Sequence, residues 1–173
     1  EKEEELSKER SVIEQILPQL KLTQELSKHK NEATVFKGIK GVKTAYEDIL
    51  KTLKSGDEYY VIGGMAPHKA YFAFIEEYHN RRSRKGIKVK LLYSEPARSL
   101  AQKIQSLPGT TIKFAPSQFL ASCFVVMYGT KTIITVSTQD DLTLFRIDNK
   151  SVTDSFIAQF SLLWNQETRV SKG

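Results

Sequence analysis

The chain has 173 residues, 40% of them apolar and 27% charged, and its 26 Lys and Arg against 20 Asp and Glu give a net charge of +6. That is enough chain and enough apolar content to bury a core, which excludes a disordered polymer and a miniprotein that needs metal or disulfide staples. One cysteine, Cys123, excludes an internal disulfide framework and every multi-cysteine metal site and suits the reducing cytoplasm, while apolar runs as short as 124–128 and an unapolar opening argue against membrane and secretion.

Residues 1–30 mix acids and bases, and Leu6, Ile13 and Leu20 recur seven apart with Val12, Ile16 and Leu17 between them. The spacing predicts a helix with one apolar stripe, either a two-chain coiled coil or a helix lying on its own domain, kinked or split at Pro18. The pattern already runs at Glu1, so the chain is expected to be a fragment.

From residue 31 to 173 strands and helices alternate. Ala33 to Lys37 reads as a strand, Gly38 and Gly41 punctuate it, and Val42, Ala45, Tyr46, Ile49 and Leu50 form a helix face ending near Gly56. Tyr59 to Ile62 is a strand stopped by Gly63 and Gly64, followed by a helix carrying Tyr71, Phe74, Ile75 and Tyr78. Ile87 to Tyr93 alternates with lysines, Ala97 to Ile104 is a helix after Pro96, and Thr111 to Phe114 is a short strand. Cys123 to Tyr128 and Thr132 to Val136 form a hairpin turned at Gly129-Thr130; a strand from Leu142 to Ile147 follows, and a helix from Lys150 to Trp164 presents Val152, Phe156, Phe160 and Leu163. Strand–helix alternation ending in a hairpin predicts an α/β fold, a mixed β-sheet with helices on both faces, preceded by an N-terminal linker helix. Ligands of such sheets sit at the carboxyl ends of strands.

Seven cations fall between Lys69 and Lys90, and Arg81, Arg82, Arg84 and Lys85 close a helix. Cations there complement the negative end of the helix dipole, and the same cluster could instead hold phosphate. Gly38-Ile39-Lys40-Gly41 lacks P-loop spacing, and Gly63-Gly64 has no following Lys-Ser or Lys-Thr, so nucleotide hydrolysis is not indicated. His29, His68 and His79 are scattered without zinc spacing, and Asp140-Asp141 reads as a solvated turn. Neither metal nor cofactor is expected. Cys123 in an apolar strand reads as a packed thiol rather than a nucleophile.

Two stretches, Val35-Phe36-Lys37-Gly38-Ile39-Lys40-Gly41-Val42 with Ala45-Tyr46-Glu47-Asp48-Ile49-Leu50, and the helix ending Phe160-Ser161-Leu162-Leu163-Trp164, resemble the middle domain of TrmB-like transcriptional regulators, a mostly archaeal family. The resemblance implies a phospholipase-D-like domain (residues 31–173) after a helical linker (residues 1–30), a homodimer formed through that linker, and DNA contact only through a preceding winged-helix domain missing from this fragment. The phospholipase D superfamily carries His-x-Lys-x(4)-Asp on a strand entering a hairpin; matched by hairpin position, that motif falls on Ser122, Phe124 and Gly129, none of which suits the chemistry. The expectation is a non-enzymatic effector-sensing and dimerisation domain. A cleft at the strand ends would be lined by Gly63, Gly64, Tyr93, Ser94, Ser122 and Ser137 and would take a small effector, with a sugar suited to the hydroxyls. Two alternatives stand beside it: a phosphodiesterase or nuclease with an altered site using His68 and Lys69, which as neighbours do not readily converge on one phosphate, and a pure interaction module.

Overall fold

Gly38 opens the first helix with φ +64°, a conformation that costs a side chain dearly, and a Cβ on Gly41 would stand 2.8 Å from that of Phe36. The Gly-x-x-Gly spacing thus lets the chain leave its strand and turn at once into a helix. The computed structural model describes residues 32–63, 69–115, 123–137 and 141–170. The chain divides into two units, Glu1–Asn31 and Glu32–Gly173. The linker helix expected over residues 1–30 lies outside the described residues.

The second unit runs β1 (Glu32–Lys37), α1 (Gly38–Thr52), β2 (Glu58–Gly63), α2 (Lys69–Arg84), β3 (Lys88–Tyr93), a 3-10 turn (Glu95–Ala97), α3 (Arg98–Ile104), β4 (Thr110–Phe114), β5 (Cys123–Tyr128), β6 (Lys131–Ser137), β7 (Leu142–Asp148) and α4 (Lys150–Val170). The strands form one sheet in the order β1-β7-β6-β5-β2-β3-β4. β2, β3 and β4 are parallel, joined through α2 and α3, and the remaining neighbours are antiparallel. This is the expected α/β fold with a mixed sheet and helices on both faces.

Strand alternation assigns the two faces. Tyr59, Val61, Val89, Leu91, Phe124, Val126, Tyr128, Ile133 and Leu144 bury against α1, α2 and α3, whose inward residues include Val42, Tyr46, Ile49, Ile75, Tyr78 and Ile104. On the opposite face α4 sets Phe156, Phe160, Leu163 and Trp164 against Tyr60, Ile62, Leu92 and Met127. Phe160 is 2% exposed, so its burial contributes about 2–3 kcal/mol. Asn149 starts α4 by accepting the Val152 N–H at 3.0 Å, and Thr153 meets Thr132 hydroxyl to hydroxyl at 3.0 Å.

Further along α4, which runs past the expected end at Trp164 to Val170, Trp164 stacks on Phe160 at 5.2 Å between centroids, Lys113 lies 4.7 Å above the indole ring, and its ammonium donates to the Trp164 carbonyl. The Phe160–Trp164 stack and Lys113 therefore fasten α4 across β4. The basic run closing α2 divides more than the sequence suggests. Arg82 is fully buried and donates to the Ile87 and Gly109 carbonyls and the Thr110 hydroxyl, while Arg81 pairs with Glu47 and Glu77. Only Arg84 and Lys85 of the four are exposed.

Candidate functional site

The carboxyl ends of β2 and β3 meet the start of β5 at one edge of the sheet, where the pairing places Gly63 opposite Tyr93 and Ile62 opposite Val125. Phe124, one residue into the strand from that edge, turns its ring across the end of β2. A Cβ on Gly63 would lie 2.2 Å from the Phe124 ring, so only glycine fits there. Tyr71, from the first turns of α2, and Tyr93 complete the enclosure, their ring centroids 5.8 and 6.2 Å from that of Phe124. All three aromatic residues are at most 4% exposed. The edge of the sheet is therefore floored by close-packed rings.

Tyr46, from α1, joins this floor through a 2.7 Å hydrogen bond between its hydroxyl and that of Tyr71. Burial pushes the Tyr46 phenol up to about 12, the bond to Tyr71 opposing it, and burial also raises Tyr71 and Tyr93 well above the usual tyrosine range. At neutral pH these phenols stay protonated and cannot act as bases or nucleophiles. Among the expected lining residues, the structure brings Gly63, Tyr93 and Ser94 together, the Ser94 N–H donating to the Gly63 carbonyl at 3.1 Å. Tyr93 is 2% exposed and Ser94 1%, because the strand's alternation turns the Tyr93 ring into the core beneath the edge. Ser137 ends β6 opposite Leu142 at the same edge, and Gly64 and Ser122 lie outside the described residues. Sequence reading placed Tyr71 on a helix face without its role here; its partner Phe124 is 53 positions away, and no spacing in the sequence shows that the hairpin sets the start of β5 beside the end of β2.

Of the positions matched to the phospholipase D motif, Phe124 offers an apolar ring and Gly129 turns the hairpin at the opposite end of β5, with φ +53°. His68 and Asp140 lie outside the described residues, and His79 is buried in the core. Asp141 accepts the Leu142 N–H and the Thr143 hydroxyl, which ties it to the start of its own strand. Burial raises the Cys123 thiol. Among the described residues no three His, Cys, Asp or Glu side chains gather as a metal site would require.

No family model matches the chain, and no curated protein matches it. By its sheet and helices the domain has the phospholipase-D-like fold. It is similar to Nuc from Salmonella typhimurium, a phospholipase D family member (TM-score 0.59, 11% identity, 78% of this chain and 95% of that one), and to NucT from Helicobacter pylori (0.59, 10%, 78% and 96%). It is also similar to TrmBL2, an archaeal chromatin protein whose structure is described as showing a novel mode of DNA binding (0.56, 14%, covering 94% of this chain). The chain spans 64% of the length of TrmBL2, under two thirds of it. At these identities the likeness is one of fold.

Proposed function

We propose that the chain is a non-catalytic effector-sensing and dimerisation domain of a TrmB-like transcriptional regulator. The observation that carries this reading is the aromatic floor. Where a phospholipase D enzyme needs a lysine to steady phosphate oxygens, Phe124 packs against Gly63, Tyr71 and Tyr93, and its ring brings no charge to a phosphate. The extent of the likenesses supports it too. The match to TrmBL2 covers 94% of this chain and the nuclease matches 78%. In this reading the effector sits above the floor at the strand ends, near Gly63, Gly64, Tyr93, Ser94, Ser122 and Ser137. A sugar, held through hydroxyl-bearing residues at these strand ends, suits it. Residues 1–30 pair two copies, the protein works in the cytoplasm, and specific DNA reading belongs to a winged-helix domain outside residues 1–173.

The test combines a thermal-shift screen of the chain against sugars, nucleotides and amino acids with an assay of phosphodiester hydrolysis on bis(p-nitrophenyl) phosphate and plasmid DNA. A saturable rise in melting temperature with one effector class, and no hydrolysis above the blank, are expected. Metal-independent hydrolysis that disappears in His68→Ala would replace this reading with an altered nuclease. Indifference to every compound would leave an interaction module.

A further inference from the structure

The edge of the sheet opposite the aromatic floor carries a different chemistry. Two turns, 53–57 before β2 and 85–87 before β3, are laced together there: the Gly56 N–H donates to the Gly86 carbonyl at 2.9 Å and the Lys88 N–H to the Asp57 carbonyl at 2.7 Å. Lys51 and Lys54 stand at the first turn, and Arg84, Lys85 and Lys88 at the second, all exposed. Asp57 is the only acid on these turns, and its carboxylate accepts the Lys54 N–H at 2.8 Å. Lys51, Lys54, Arg84 and Lys88 have no acidic partner among the described residues.

Helix-end neutralisation explains part of this cluster and leaves the rest. Lys85 caps α1 by donating to the Leu50 carbonyl at 2.7 Å, and Lys51 and Arg84 occupy last turns of helices. Lys54 lies beyond the end of its helix and Lys88 lies on a strand, so no dipole accounts for either. Unpaired cations crowded on one ridge repel one another, and an external polyanion relieves that repulsion.

We propose that this ridge, Lys51, Lys54, Arg84, Lys85 and Lys88, binds the phosphate backbone of duplex DNA directly and without sequence preference. Two helices present their carbonyl ends here, so no cradle of N–H groups exists for a single small anion. Leu53 and Ile87, the large apolar residues of the turns, are 8% and 1% exposed, so nothing is available to enter a lipid surface or to stack on the bases of a single strand. What remains is a row of long, exposed cations, the chemistry that releases counterions from a duplex. This contact stands apart from the sensing reading. The effector edge and the ridge are opposite edges of the sheet.

The test is fluorescence anisotropy of the chain with a labelled random-sequence duplex of about 30 base pairs, from about 50 to 200 mM salt. Wild type is expected to bind in the range of about 10⁻⁴ to 10⁻⁶ M with a steep salt dependence. Lys54→Gln/Arg84→Gln/Lys88→Gln is expected to lose at least about tenfold in affinity at low salt and to flatten the log–log salt slope by about 2.7, or about 0.9 per cation removed. Lys37→Gln/Lys40→Gln/Lys43→Gln removes equal charge at the other edge, at the start of α1, and should stay within about twofold of wild type. Lys88→Gln and Lys54→Gln alone should each flatten the slope by about 0.9, so misfolding of the triple variant does not decide the matter. Equal losses in the two triple variants would overturn the proposal by showing an effect of overall charge. So would an absence of duplex binding at low salt, or binding only to phosphatidylserine vesicles.

Discussion

At the scale of single residues, His79 is the clearest pH-dependent feature. It lies on α2, 3% exposed, its ring edge-on to Tyr78 at 5.4 Å. Burial above all, and then the charge of Arg82, push its pKa down to about 3. In the unfolded chain the imidazole takes a proton below about pH 6.5, while the folded protein refuses it. The unfolded state therefore binds more protons, so this contribution to stability is complete above about pH 6.5 and is lost as pH falls toward 3, at about 1.4 kcal/mol per unit. Urea denaturation of wild type at pH 7 and pH 5 should differ by about 2 kcal/mol from this source, and His79→Leu should remove most of that difference. Identical pH dependence in the two proteins would show that His79 protonates in place. Gly63 and Phe124 offer a second prediction. Gly63→Ala drives a methyl into the Phe124 ring and should cost about 1–3 kcal/mol, while Phe124→Ala empties the floor and should cost about 3–5 kcal/mol. Because the added methyl can enter the space the ring vacates, the double variant should be less destabilised than the two costs together, and strict additivity would mean that the two positions do not meet.

Between elements, the β5–β6 hairpin is fastened to α1 through Asp48. Its carboxylate accepts from the Tyr128 hydroxyl and the Lys131 ammonium, each at 2.7 Å, with Arg146 at 3.7 Å. Burial pushes the Asp48 carboxyl up, but the bonds from Lys131 and Tyr128 and the charges of Lys131 and Arg146 outweigh it and hold the group below its usual value. This anchoring is present above about pH 4 and is lost as the carboxylate protonates on further acidification. Asp48→Asn should lower the urea midpoint at pH 7 by an amount worth about 1–2 kcal/mol, reduced from a fully buried pair because the group is partly solvated, and the gap to wild type should narrow as pH falls below about 4. The elements themselves were legible wherever apolar spacing was regular. Val42, Ala45, Tyr46, Ile49 and Leu50 are the buried face of α1, and the Gly129-Thr130 turn joins β5 to β6. Arg82 was not legible, because its acceptors Gly109 and Thr110 lie 27 and 28 positions further along the chain and nothing local distinguishes it from Arg81 or Arg84. The candidate site divides along the same line. Gly63, Tyr93 and Ser94 follow from strand ends, whereas the rings that close over them depend on which strand the hairpin sets beside β2.

For the whole molecule, the question is which surface holds two copies together. The chain divides at Asn31, so removing residues 1–30 should leave a folded domain with its circular-dichroism melt close to that of the full chain. If the seven-residue apolar spacing of Leu6, Ile13 and Leu20 pairs two chains, sedimentation should then change from dimer to monomer at equal concentration. A surface among the described residues could give the other outcome. α4 covers β2, β4, β5 and β6, and beside it Val35, Val136 and Phe145 stand 54%, 40% and 41% exposed on β1, β6 and β7. A charge at Phe145 would disturb any association through that face without touching residues 1–30. Phe145→Glu in the full chain should therefore sediment as a dimer. A monomer from Phe145→Glu, together with a truncated chain that stays dimeric, would move the interface from the leading segment to the open face of the sheet.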